Sequence, residues 1–279
     1  MSFLCTVKNP VRFEGVGLHS GKPCSVEINP LYVSRGIVFE IENRSYSLDE
    51  AELRGSGRGT ELVFSDGAIV RTVEHLMAAL YTRNIGQAVI RISGPEMPVL
   101  DGSSLAFSKK LKEVGVVETD CETVPFCPWV PIVETDNSKK KILCAFPSDS
   151  LSITYAIEYE NPVIGTEIYD FRVTSEGFLE EIAPCRTFAL EEEMDSLRER
   201  GLARGGNLEN AILVTPHEAL NQKGLYFSNE FVRHKILDII GDLALLGRPL
   251  HAHIVAIRTG HDMHLRLVRR LKRMLNRNE

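Results

Sequence analysis

The stretch His234–Gly247 places a histidine and two aspartates on an otherwise apolar helix. At about 3.6 residues per turn, positions 234, 238, 241, 242 and 245 share one face, which reads His, Asp, Gly, Asp, Leu. Ile236, Leu237, Ile239, Ile240, Leu243 and Leu246 cover the remaining surface. Charged groups are costly to bury unless they are paired or bound to a metal. The stripe therefore needs partners from elsewhere in the chain. An imidazole and a carboxylate four residues apart can reach one small cation.

With 279 residues the chain can bury a substantial core and is long enough for two domains. Its net charge of -6 argues against a nucleic-acid partner. The one dense basic stretch, 266–277, sets Arg269, Arg270, Lys272 and Arg273 among Leu265, Leu267, Val268, Leu271 and Leu275. That is the wet face of a terminal amphipathic helix. The N-terminus shows no charged segment leading into a long apolar one, so no signal peptide is evident. No window approaches the apolar run of about 18 residues that a membrane helix requires, so no stable membrane insertion is expected. Six cysteines occur without a CxxC pair, which suits reduced thiols and a cytoplasmic monomer.

Alternating runs at 25–28, 37–41 and 61–64 predict strands in the first half, broken by Gly-rich turns. A helix near 72–81, a strand at 88–92, a Pro/Gly-marked loop and a helix near 104–114 follow. Around 118–131 periodic signals fade and Pro125, Pro128 and Pro131 mark a boundary. The second half opens with strands, clearest at 152–159, and ends with a helix at 231–246, a strand at 253–257, a Gly260 turn and the final helix. Both halves thus finish as helix, strand, Gly-containing turn, helix, and His75 and His234 open the corresponding helices. The fold class expected is α+β: two related domains, 1–124 and 125–279, each a mainly antiparallel sheet packed with two helices, with the active site between them. Segment 185–214, with a charged helix-like run at 190–200 and three glycines, reads as an insertion that supplies a binding wall.

The Gly15–Lys22 segment fails as a phosphate loop, because its glycine spacing is wrong and Pro23 follows the lysine. A dinucleotide-binding reading fails as well, since Pro23 and Pro30 spoil the intervening helix. Thr72–Leu80 is more specific: Thr72 or a neighbour caps a helix whose first turn holds Glu74 and His75. Catalytic zinc takes three protein ligands plus water, and His75, His234 and Asp238 make such a set. Glu74, beside a ligand, is placed to act on a bound water. No HExxH pattern occurs, so ordinary zinc-protease chemistry is not indicated. His251 and His253, at strand spacing, form an alternative metal pair that reads better as structural. His261 follows Gly260 in a turn and could donate a proton, and a nearby carboxylate would hold that proton on it. Thr187, in Cys185-Arg-Thr-Phe188, offers a hydroxyl to an oxyanion, or marks only a strand edge.

With these residues in hand, the chain resembles the UDP-3-O-acyl-N-acetylglucosamine deacetylase family of lipid A biosynthesis. The segments that carry the resemblance are Gly-Val-Gly-Leu-His-Ser-Gly at 15–21, Thr-Val-Glu-His-Leu at 72–76 and Pro-Val-Leu-Asp-Gly-Ser at 98–103. Arg-Thr-Phe at 186–188, Gly-Gly-Asn-Leu-Glu-Asn-Ala at 205–211 and His-Lys-Ile-Leu-Asp-Ile-Ile-Gly-Asp-Leu at 234–243 complete the set. The resemblance implies one zinc ion held by His75, His234 and Asp238, with Glu74 as general base and His261 as general acid. It implies an oxyanion contact from Thr187, electrostatic support of His261 by Asp242, and a substrate contact from Lys235. It also implies an acyl passage lined by Phe188, Met194, Leu197 and Leu208. Two departures stand out: Gly59 replaces a cysteine that many members carry before the threonine, and His264 stands where the family often has asparagine.

The activity expected is zinc-dependent removal of acetate from a UDP-linked acylated glucosamine. The alternatives are a metal amidohydrolase acting on another acylated sugar and a non-catalytic UDP-sugar or lipid-binding module. Only the last should tolerate loss of Asp238 and purify without metal.

Overall fold

The computed structural model describes residues 2–276, so Arg277, at the end of the basic stretch, lies outside the described residues. The alternating runs form strands whose apolar positions turn inward: Cys24, Val26 and Ile28 along Pro23–Pro30, and Ile153, Tyr155 and Ile157 along Ser152–Glu158. One five-stranded sheet has the order Val11–Val16, Pro23–Pro30, Ala88–Ser93, Ile37–Ile41, Arg44–Ser47. The second has the order Ile132–Asp136, Lys141–Pro147, Ala252–Ile257, Ser152–Glu158, Thr166–Arg172. In both, the strand that comes last in sequence lies at the centre, antiparallel to one neighbour and parallel to the other. The remaining pairs are antiparallel. The fold is therefore α+β with mainly antiparallel sheets, and the two halves share one strand order.

Each half adds two helices at the same places in that order: Glu74–Thr82 and Leu105–Val114 in the first, Glu230–Ala244 and His261–Leu275 in the second. We place the division between the halves at 124/125, in the segment joining strand Val116–Thr123 to Ile132–Asp136. The Val116–Thr123 strand runs antiparallel to Ser2–Val7, where the sequence suggested only a boundary. It shows no apolar period because its buried residues are Thr119 and Thr123.

The insertion supplies Phe188–Leu190 and Ile212–Val214 to a small sheet that Ala219–Leu220, beyond the expected end at 214, completes. It has a positional counterpart that the sequence did not reveal, the sheet of Glu52–Gly55, Thr60–Val63 and Ile69–Arg71, which also sits ahead of the first long helix of its half. The helix-like run at 190–200 is shorter than expected. Leu190 pairs with Val214 in the small sheet, and the α-helix spans only Met194–Glu199. The terminal helix is amphipathic as read, with Met263, Leu265, Leu267, Val268 and Leu271 buried. No described helix is long and apolar enough to cross a membrane.

Apolar side chains from both sheets and from the helices between them form one continuous core. The Glu74 helix lies directly on the His234 helix, and Gly241 sets how close they come. A β-carbon at Gly241 would stand 2.0 Å from the carbonyl oxygen of Glu74. No side chain fits there without moving the two helices apart. Gly241→Ala is therefore expected to destabilise the fold by about 2 kcal/mol or more, read as a lowered Tm. An unchanged Tm would mean that the contact relaxes freely.

Candidate functional site

The His234 helix is held at its start by Glu230, which is fully buried in the first turn. Its carboxylate accepts hydrogen bonds from the Arg186 backbone N–H at 3.0 Å, from Arg186 Nε at 2.9 Å and Nη2 at 3.1 Å, and from the Tyr226 N–H at 2.7 Å. A buried charge held by a two-pronged guanidinium is the arrangement that repays desolvation. It also holds Phe188, two residues on from Arg186, against the same helix. The Phe188 ring packs on Phe231 with centroids 5.0 Å apart and faces His234 at 6.1 Å.

One turn into the helix, His234 and Asp238 meet His75 from the first half, and all three are buried. Asp238 Oδ1 lies 3.6 Å from His75 Nε2 and 3.5 Å from His234 Nε2. Ligand atoms held at 2.0–2.1 Å around a tetrahedral zinc stand roughly 3.3–3.5 Å apart. The spacing thus fits a single small divalent cation. His234 Nδ1 donates to the Cys185 carbonyl at 3.1 Å, which leaves Nε2 unprotonated and facing the carboxylate. Burial pushes the His234 pKa down to about 3, so its imidazole is neutral, as a ligand must be. Asp238 Oδ2 accepts from Lys235 Nζ at 2.8 Å. Burial alone would raise the Asp238 carboxyl, but the neighbouring Lys235 ammonium leads the groups that outweigh it and hold Asp238 well below its usual range.

Behind this group, Asp242 is fully buried and accepts three hydrogen bonds. Thr60 Oγ1 donates to Oδ1 at 2.6 Å, while His261 Nδ1 and His264 Nδ1 each reach Oδ2 at 2.8 Å. Burial opposes a charged His261, but Asp242, with Asp238 and Glu74 behind it, outweighs burial and raises the pKa to about 10. His261 Nε2 stands 3.8 Å from Asp238 Oδ2, so the charged ring is aimed at the cation site. Asp242, His261 and His264 also satisfy the spacing of a metal group. Their mutual hydrogen bonds already account for them, and no ion is needed.

Glu74 is buried, with Oε2 accepting the Thr60 N–H at 3.0 Å. Burial raises its pKa, which makes the carboxylate a stronger base. A β-carbon at Gly59 would come within 2.9 Å of Glu74 Oε1, so the glycine leaves that oxygen room. Thr72 does not cap the helix. It takes a left-handed backbone (φ 58) and turns its hydroxyl to the buried Glu96 carboxylate at 2.9 Å.

Glu74, His75, Thr187, Phe188, His234, Lys235, Asp238 and His261 all border one cleft of about 510 Å³. A second, apolar cavity of about 260 Å³ adjoins it and is lined by Phe188, Met194, Leu197 and Leu208 together with Leu18 and Leu213. Leu18, Arg58, Thr187 and Phe188 belong to both cavities, so the apolar one opens beside the polar one. Lys235 Nζ lies 5.4 Å from the Phe188 ring centroid, at the join. His251 and His253 belong to no metal group among the described residues, and His253 Nε2 instead pairs with Thr154 Oγ1 at 2.9 Å.

Three contributors escaped the sequence reading. Thr60, the Cys185 carbonyl and His264 act through a hydroxyl, a backbone oxygen and a buried ring, and the partners of these groups at the site (Asp242, His234 and Asp242) lie 22 or more residues away, too far in sequence to pair by inspection. His264 left a trace as a departure from the family pattern, and Thr60 only as the threonine after Gly59.

Residues 5–273 match the family described as UDP-3-O-acyl N-acetylglycosamine deacetylase. The UDP-3-O-acyl-N-acetylglucosamine deacetylase of Chlamydia caviae is 43% identical over 277 residues, covering 97% of each chain. Those of Chlamydia felis and Chlamydia pneumoniae are 42% and 39% identical, covering 95% and 93% of this chain and the same shares of their own. The chain belongs to the UDP-3-O-acyl N-acetylglycosamine deacetylase family.

Proposed function

We propose that this protein hydrolyses the N-acetyl group of a UDP-3-O-acyl-N-acetylglucosamine, releasing acetate and a UDP-3-O-acyl-glucosamine for lipid A biosynthesis. The observation that carries the reading is the meeting of His75, His234 and Asp238, with Glu74 and His261 bordering the same cleft beside an apolar cavity. The three residues would hold one zinc ion, which supplies Lewis acidity toward a water and the amide carbonyl.

The chain's own groups supply the proton transfers. The Glu74 carboxylate, made more basic by burial, takes the proton from the attacking water. The Thr187 hydroxyl donates to the carbonyl oxygen as charge builds on it. An amide nitrogen cannot leave as an anion, so His261, kept protonated by Asp242, delivers a proton to it. Lys235 sits at the join of the two cavities and contacts substrate there. Phe188, Met194, Leu197 and Leu208 take up the acyl chain, whose burial contributes about 0.8 kcal/mol per methylene.

The direct test is acetate release from UDP-acyl-GlcNAc. Glu74→Ala and His261→Ala are each expected to lower kcat by roughly a hundredfold or more with the fold and metal content unchanged. Near-normal turnover in either variant would sink the assignment of that residue.

The ionisation of His261 fixes a pH dependence. Its raised pKa means that the proton is fully present at neutral pH and is lost as pH climbs through about 10. Activity should therefore fall on the alkaline side. Asp242→Asn removes the charge that raises it, so the alkaline limb of the kcat profile should move down by at least about one pH unit. A limb that stays in place would show that another group sets it.

Leu208→Trp narrows the apolar cavity. KM for a long-chain substrate should rise at least about tenfold while a short-chain analogue is little affected. Equal effects on both substrates would place the acyl chain elsewhere.

A further inference from the structure

His264 has no part in the chemistry above, and it does not border the cleft among the described residues. It is nevertheless fully buried, on the face of the terminal helix that otherwise carries Leu267, Val268 and Leu271. Packing alone would be served by another apolar side chain there. An imidazole in such a place must have both ring nitrogens satisfied, or it costs on the order of 1–3 kcal/mol for each one left unpaired.

Both are satisfied, and the partners point one way. Nδ1 lies 2.8 Å from Asp242 Oδ2, the oxygen that also takes the His261 proton donor. Nε2 lies 3.3 Å from the Tyr155 hydroxyl and 3.0 Å from Thr259 Oγ1, and Thr259 donates to Tyr155 at 2.8 Å. Tyr155 is fully buried in the central part of the second sheet and keeps its proton. The arrangement closes if His264 is neutral, donating from Nδ1 to Asp242 and accepting the Tyr155 O–H at Nε2. His264 follows His261 by three residues, so one helical turn delivers both imidazoles to a single carboxylate oxygen.

We propose that His264 is a positioning residue for the deacetylation: together with Thr60 it locks the Asp242 carboxylate, and through it the orientation of the His261 ring. With donors on both oxygens, Asp242 is held against rotation about its Cβ–Cγ bond, and His261 Nδ1 keeps it as the nearer acceptor at 2.8 Å, with Thr60 Oγ1 beside it at 3.3 Å. The Tyr155 hydroxyl ties this lock to the sheet. The inference rests on the reading of His261 as the proton donor.

A series at 264 separates positioning from packing. In His264→Asn the amide nitrogen takes the place of Nδ1 and can still donate to Asp242. In His264→Gln the amide reaches the place of Nε2 and meets Tyr155 instead. His264→Leu reaches neither. Turnover is to be measured in each, with Tm and metal content followed on the same samples. His264→Asn should keep most of kcat. The glutamine and leucine variants should lose roughly tenfold to a hundredfold, with KM unchanged because the residue does not touch substrate. In a His261→Ala background, His264→Leu should lower turnover no further.

Three results would overturn the proposal. One is normal kcat in both the leucine and glutamine variants, and another is equal loss with asparagine and glutamine. The third is the same fractional loss with and without His261. If the leucine variant does not fold, the asparagine–glutamine contrast decides. Full turnover in His261→Ala alone would instead remove the acid reading on which the inference stands, and the inference with it.

Discussion

Three carboxylates, Glu74, Asp238 and Asp242, are buried to within 2% of full exclusion where the two central helices cross. Each would cost several kcal/mol if left uncompensated, and the surrounding structure is arranged to prevent that. Lys235 and the imidazoles of His75 and His234 face Asp238. His261, His264 and Thr60 face Asp242, and the Thr60 N–H faces Glu74. Thr60 thus serves two of the three carboxylates from one residue, with its backbone to one and its hydroxyl to the other.

The repeat explains why these groups can meet. Each half places its first long helix ahead of its central strand, and the two helices pack face to face across Gly241. His75 comes from one repeat and His234 and Asp238 from the other, so neither half holds the set alone. The two small insertions occupy equivalent places and do different work. The first supplies Thr60, while the second supplies the Phe188 edge and the apolar cavity. Function in this fold comes from what each copy of the repeat has added to the same position.

Much of this was legible in the chain itself. A polar stripe on an apolar helix is a strong signal because burial makes it expensive, and the stripe at 234–242 showed that partners were needed, while the Glu74–His75 segment and the family resemblance supplied which ones. The long helices and about half of the strands of the two five-stranded sheets followed from periods of 3.6 and two in regions where one face is apolar. The reading weakened where those periods vanish. The Val116–Thr123 strand buries threonines, and the Thr60–Val63 insertion strand is too short to show what its hydroxyl does. His264 was visible only as an unusual residue, since its significance lies in a carboxylate 22 positions away. Thr72 looked like a helix cap, but a buried glutamate 24 positions on claims its hydroxyl. Local rules gave way wherever a distant buried charge needed a donor.

The central claim is that one metal ion, held between the repeats by His75, His234 and Asp238, makes the protein an amidohydrolase. Metal content and acetate release from UDP-acyl-GlcNAc, measured on one preparation before chelation, after chelation and after zinc is restored, test it most directly. The account predicts close to one zinc per chain, loss of acetate release on chelation and its return with the metal. Undiminished acetate release from metal-free protein would contradict it.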